Sequence, residues 1–261
     1  MRQIKKVFLL LAVLYGPFCK LSAAPPLKVG MELDYPPFEM IDKEGRPSGI
    51  SVDIAHALGR YLQREVVIEN ISFIGLIPAL QNGKIDIILS SMTDTPEREQ
   101  VISFSDPYMT LGLALLISQK SDLASIAQAN QTGRTIVVKQ ATTSQQWAMK
   151  HLPNAKVRVL DKEAMCILEV VQGKADAFIY DQLAVCRAWL EYPKETRANL
   201  NPFQDQKMAI GLRKGDISLR EDINTFIKKY RVGNGFKILA DKYLLNEQVA
   251  FKKLDIPFPL Q

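Results

Sequence analysis

The stretch "SSMTDTPERE" (residues 90–99) gathers groups that can hold an anion. Ser90, Ser91 and Thr93 supply hydroxyls, and Arg98 supplies a guanidinium whose planar fork matches a carboxylate in two places. Thr95 before Pro96 reads as a helix N-cap and first helical position. Free backbone N–H groups and the positive end of a helix dipole favour negative charge there. The chemistry on offer is a carboxylate cradle; the alternative is a capped surface helix with a solvated arginine. Histidine chemistry is not on offer. The histidines are His56 and His151 alone, and the chain has no CxxC or HExxH motif. No catalytic residue, metal or cofactor is expected.

An apolar run, "IDIILS", leads into this stretch and reads as a buried strand ending at Ser90. Upstream, "LKVGMEL" and "EVVIENI" read as strands, and "DYPPFEMIDKEGRPSG" as a turn. "ISVDIAHALGRYLQ" carries Ile54, Ala57, Leu58, Tyr61 and Leu62 at helical spacing. "FIGLIPALQNG" is a short helix closing near Gly83. This β-α-β-α-β order favours a parallel sheet covered by helices. The order then recurs: "RTIVVKQ", "KVRVL" and "ADAFIYD" are strands, each followed by a helical segment. "LQNGKIDIILS" and "VVQGKADAFIY" match each other, which points to equivalent places in two α/β lobes of about 100 residues each. Asp86 and Asp176 fill the repeated Gly-Lys-x-Asp sites and read as structural. Trp147 and Trp189 read as core. "MAIGLRKGD" is a further strand, and residues 218–244 form two helices around a glycine turn. Residues 247–261 are a C-terminal tail without periodicity, expected to be loosely held. Ligands in such folds sit at the carboxyl ends of parallel strands, which is where Ser90 and Ser91 lie.

The chain has 261 residues with a formal charge of +5. Its start, "MRQIKKVFLLLAVLYGPFCKLSAAPP", has a basic head, a short apolar run and small residues, the layout of a secretory signal peptide. Residues 1–23 are expected to be that peptide, cleaved after Ala23; lipid anchoring through Cys19 is a weaker alternative, since Phe18 is bulky. Without them 29 basic residues face 28 acidic ones, so basicity implies no nucleic-acid partner. Cys166 and Cys186 remain, in two predicted helices flanking one strand. In an exported protein they form either a disulfide or two buried thiols.

"YPPFEMIDKEGRPSGISVDIAHALG", "FIGLIPALQNGKIDIILSSMTDTPERE" and "VISFSDPY", followed by "GKADAFIYD" and "MAIGLRKGD", resemble the polar amino acid solute-binding proteins of bacterial ABC importers. The resemblance implies a two-lobed α/β periplasmic-binding-protein fold, each lobe a sheet flanked by helices, joined by a two-strand hinge. Lobe 1 would be residues 25–110 plus 208–246, and lobe 2 residues 111–207. It implies a monomeric periplasmic receptor with an amino acid ligand and a membrane permease as partners. Arg98, helped by Ser90, Ser91 and Thr93, would pair with the ligand carboxylate, and Thr142 and Thr143 would close on it from lobe 2. Asp181 would take the ammonium, and Tyr35 and Phe73 would sandwich the stem. Two positions depart from the family's habit: Ala141 or Thr142 stands where glycine is common, and Ser51 where an acidic residue is common.

By the same resemblance Glu32 and Lys139 face the far end of the ligand. A side-chain amide donates to one and accepts from the other, so glutamine is expected ahead of arginine or another basic amino acid. The same scaffold is similar to that of cyclohexadienyl dehydratases, an enzymatic alternative for which Glu32 and Asp181 are the acidic candidates.

Overall fold

A computed structural model describes residues 24–260. The expected signal peptide, with Cys19, lies outside the described residues.

The first lobe opens with β1 (Leu27–Met31), whose alternate residues are fully buried. A three-stranded meander follows: β2 (Asp34–Tyr35), β3 (Glu39–Ile41) and β4 (Pro47–Ser48). Its three prolines, two glycines and a serine read as a plain turn; pairing across the tight bend at Gly45, rather than apolar periodicity, holds it together. Then come α1 (Ile50–Leu62), β5 (Val66–Asn70), a 3-10 turn at Phe73–Gly75, α2 (Leu76–Gln81), β6 (Ile87–Ile88), α3 (Pro96–Glu99) and β7 (Ser103–Phe104). β1 pairs in parallel with β5 and β6, as the β-α-β order predicts.

β8 (Met109–Ser118) is ten residues long and leads into the second lobe. There follow β9 (Thr135–Lys139), α4 (Thr143–His151), β10 (Lys156–Leu160), α5 (Glu163–Val171), β11 (Ala177–Asp181), α6 (Gln182–Glu191) and β12 (Thr196–Asn199). The sheet order is β10-β9-β11-β8-β12. β13 (Asp205–Met208) runs back antiparallel to the first residues of β8, and β14 (Gly211–Leu212) joins the first sheet in the order β5-β1-β6-β14-β7. β8 and β13 therefore form the paired crossing between the two sheets.

α7 (Ile217–Val232) and α8 (Gly235–Tyr243) pack on α1, burying Ile223, Phe226, Ile227 and Phe236. Each such side chain contributes about 1.5–3 kcal/mol on leaving water. The tail is not loose. α9 (Leu245–Lys253) packs against α6 of the second lobe and α8 of the first, and Phe251 and Leu260 are buried. Three apolar anchors, Ala250, Phe251 and Leu260, are too few and too widely spaced for a periodic signal, yet together they fix the segment.

The two repeated aspartates do the same work. Asp86 accepts from the Lys28 backbone N–H at 3.1 Å, and Asp176 from that of Thr135 at 2.8 Å. Each ties one strand of its sheet, β1 or β9, to the incoming one, β6 or β11. Trp147 packs between Phe203 and His151 at 4.7 Å from each, and Trp189 lies against the main core. Cys166 and Cys186 are free buried thiols, so the disulfide alternative is not realised. Burial pushes both thiols up to about 12.

Candidate functional site

A cavity between the sheets encloses about 40 Å³ of free space, room for a few water molecules. Glu32, Tyr35, Phe73, Ser90, Ser91, Thr93, Arg98, Lys139, Thr142, Thr143 and Asp181 all line it, so the structure brings together every residue singled out from the sequence. Glu39, Leu113, Tyr180 and Met208 complete the wall.

Arg98 sits in α3. Thr95 caps that turn, accepting from the Arg98 backbone N–H at 3.3 Å, with Pro96 at the first helical position. α3 is a single turn, so the helix dipole expected there is slight, and the positive field comes from the guanidinium. Arg98 is only 6% exposed. It donates to the Thr93 carbonyl at 2.7 Å and, across the cleft, to the Ala141 carbonyl at 3.0 Å, and it lies over the Phe73 ring. Among the described residues no carboxylate pairs with it. Burial lowers its pKa to about 10, which leaves it charged at neutral pH. A buried cation without an anion is costly, and a ligand carboxylate would supply what it lacks.

The turns facing Arg98 carry backbone strain. Ser91 has φ +47° and Ala141 φ +61°, both in the left-handed region that favours glycine. Ala141 thus adopts the backbone the expected glycine would have had. Thr142 caps α4, accepting from the Gln145 N–H, and its own hydroxyl donates to the Lys139 carbonyl at 2.6 Å. Thr93 and Thr143, one from each sheet's end, both donate to Gln206 Oε1, at 3.0 and 2.5 Å. Gln206 is buried on β13. No sequence signal marked it, because a lone glutamine in a short strand looks like a surface residue.

Asp181 serves two purposes. Its Oδ1 caps α6, accepting from the N–H groups of Leu183 and Ala184, while Oδ2 accepts from the Tyr35 hydroxyl at 2.7 Å. Burial raises its pKa, as it raises that of Tyr35. Tyr35 stacks on Phe38 and meets Tyr180 edge-on.

Lys139 Nζ donates to Glu32 Oε2, joining the two lobes. Glu32 Oε1 accepts from the Phe73 backbone N–H at 3.0 Å, which fixes the carboxylate. Lys139 is itself buried and lies over the Phe73 ring.

Glu39 escaped the sequence reading. It is fully buried on β3 and accepts from the hydroxyls of Ser51 (2.5 Å), Ser91 (3.2 Å) and Ser90 (3.3 Å). Gly49 makes this contact possible. At φ +120° it lets the start of α1 approach so closely that a Cβ would meet the Phe38 carbonyl oxygen at 2.4 Å. The N–H groups of Ile50 and Ser51 then bond to the Pro37 and Phe38 carbonyls, which brings Ser51 to Glu39. Burial pushes the Glu39 carboxyl up to about 8, against the opposing pull of the three hydroxyls.

Comparison with known proteins places the chain in a family. Residues 27–246 match the bacterial extracellular solute-binding proteins, family 3. An L-arginine-binding protein of Pseudomonas aeruginosa is 30% identical over 234 residues, covering 85% of this chain and 89% of the relative. Among solved structures, an ancestral amino acid-binding protein, a precursor of cyclohexadienyl dehydratase, superposes with a TM-score of 0.78 at 34% identity, covering 84% of this chain and 95% of the other. An ancestral arginine-binding protein bound to glutamine superposes with a TM-score of 0.77 at 29% identity, covering 84% and 97%. Fold and sequence agree, and the chain belongs to the bacterial extracellular solute-binding proteins of family 3.

Proposed function

We propose that the protein is a periplasmic receptor that captures a polar L-amino acid, glutamine in preference, and delivers it to the membrane permease of an ABC importer. The observation that carries this reading is Arg98: a buried guanidinium at the cavity wall with no carboxylate partner among the described residues. Asp181, opposite in sign, lines the same cavity. A zwitterion supplies the missing anion to one and a cation to the other. The chain's relatives support an amino acid as the ligand. No helix among the described residues is long and apolar enough to cross a membrane.

An amino acid does not fit into about 40 Å³, so capture requires the lobes to part. β8 and β13 provide the hinge, and the cross-lobe contacts Arg98–Ala141, Lys139–Glu32 and Tyr35–Asp181 break on opening. Binding to the open form and closure over the ligand complete the cycle without covalent chemistry. With Arg98 and Asp181 assigned to the zwitterion, Glu32 and Lys139 meet the side chain as a neutral pair. A terminal amide inserts between them, its NH₂ donating to Glu32 and its oxygen accepting from Lys139. A guanidinium would confront Lys139 directly.

Calorimetric titration with glutamine, arginine, histidine and glutamate in one buffer tests this, repeated on Lys139→Ala. The expected order places glutamine first, with arginine gaining on it in the mutant. Tighter binding of arginine by the unmutated protein would overturn glutamine as the ligand. Formation of phenylpyruvate from prephenate would overturn the receptor reading in favour of a dehydratase.

A further inference from the structure

Of the carboxylates and cations lining the cavity, Glu39 alone has no counterpart. Lys139 and Glu32 pair with each other, and Arg98 and Asp181 answer the two ends of a zwitterion. Glu39 is held by three serine hydroxyls and by no cation. Two of them, Ser90 and Ser91, end the strand that also presents the carboxylate cradle. Serine hydroxyls can donate to a carboxylate or accept from a carboxylic acid, so this cage accommodates either protonation state. The Ser90 hydroxyl also accepts from the Glu32 backbone N–H at 2.9 Å, which links Glu39 to Glu32.

We infer that Glu39 is a specificity-determining residue whose proton sets the side-chain charge the receptor accepts: protonated, it favours a neutral polar side chain; ionised, a cationic one. The inference rests on the amino acid-receptor reading and deepens it. The charge that acts on Glu39 is Lys139 on β9, and the Tyr108 phenol lies beside Ser91; Glu32 after β1, Arg98 on α3 and Asp181 on β11 line the same cavity. With Glu39 protonated the cavity charges, zwitterion included, sum to zero, and a neutral side chain is matched. A guanidinium adds one positive charge in low dielectric, and loss of the Glu39 proton to solvent restores the balance. Burial holds this carboxyl near neutrality, so the exchange falls within an accessible pH range.

The experiment is calorimetric titration of the mature protein with glutamine and with arginine at pH 7. Each is run in phosphate and in Tris, whose different ionisation enthalpies reveal protons released on binding. Arginine binding is expected to release between half a proton and one, and glutamine binding close to none. Raising the pH from 6.5 to 9 should shift the arginine-to-glutamine affinity ratio tenfold or more toward arginine; the ligands' own α-ammonium groups affect both alike. In Glu39→Gln, an isosteric change, arginine-linked release and the pH shift of the ratio should both vanish. Binding of both ligands with equal proton release, or a ratio in Glu39→Gln that follows pH as before, would overturn the role of Glu39 alone. Absence of heat with either ligand would overturn the amino acid reading and this inference with it.

Discussion

The guanidinium of Arg98 donates to the carbonyl of Ala141 at 3.0 Å, across the cleft between the two sheets. One residue is the buried cation proposed to hold the ligand carboxylate. The other is an alanine held at φ +61°, so a strained turn of one lobe is latched by the charge of the other.

Arg98→Ala is expected to weaken amino acid binding by a thousandfold or more, equivalent to about 4 kcal/mol. The fold should survive, because the change removes a buried charge that has no carboxylate partner. Arg98→Lys keeps the charge but loses the two-pronged geometry and should fall between. Calorimetry on all three proteins, with circular dichroism to verify folding, makes the measurement. Affinity within tenfold of the unmutated protein in Arg98→Ala would remove Arg98 from the site.

Ala141→Gly should raise the melting temperature slightly. A left-handed alanine costs about 1–2 kcal/mol, and glycine's extra freedom in the unfolded chain takes back roughly 0.4–1. The net gain of up to about 1 kcal/mol corresponds to roughly 2–4 °C. A fall in melting temperature would show that the Ala141 methyl makes packing contacts worth more than the strain.

Stability should decline from pH 5 to pH 8. Glu39 is raised to about 8 and Glu163 to about 7, both by burial. Between the ordinary carboxylate range and these values the folded protein holds protons that the unfolded chain has released. Folding therefore binds protons, and stability is greatest below the unfolded values and is lost as pH rises through the folded ones. Glu39→Gln should flatten its share of the slope, with Glu163 and Asp181 supplying the remainder. Urea unfolding at pH 5, 6.5 and 8 reads this directly; parallel curves for mutant and parent would discount Glu39.

Phe251→Ala is expected to cost about 3–5 kcal/mol despite lying beyond residue 246, where the family match ends. Phe251 is buried and meets Phe258 edge-on at 5.5 Å. Thermal melting of the variant checks the cost, and a change under about 1 kcal/mol would mean that the segment is dispensable for stability.

Addition of ligand should shrink the radius of gyration in small-angle scattering, since capture ends with the lobes approaching about β8 and β13. An unchanged radius at saturating glutamine would count against a hinge.

Much of this protein is written in local patterns. Helical spacing in residues 50–63 and the short apolar runs ending at Ser90 and Asp181 each depend on neighbours a few positions away, so their periods are visible in the chain. Thr95 before Pro96 marked its cap for the same reason, and the Gly-Lys-x-Asp repeat marked the two lobes. The family resemblance that these motifs carry picked out eleven residues, and all of them line one cavity. What the chain could not express locally is which charges meet. Lys139 and Glu32 are 107 positions apart, and only closure of the two sheets makes them a pair. Glu39 became a buried acid through a glycine-permitted approach of α1 to a meander that reads as a turn. Gln206 joins Thr93 to Thr143 only where β13 recrosses β8, and α9 found its place by packing on helices from both lobes. Desolvation and charge pairing depend on everything within a few ångströms, whatever its distance along the chain, and so the tertiary structure alone decided them.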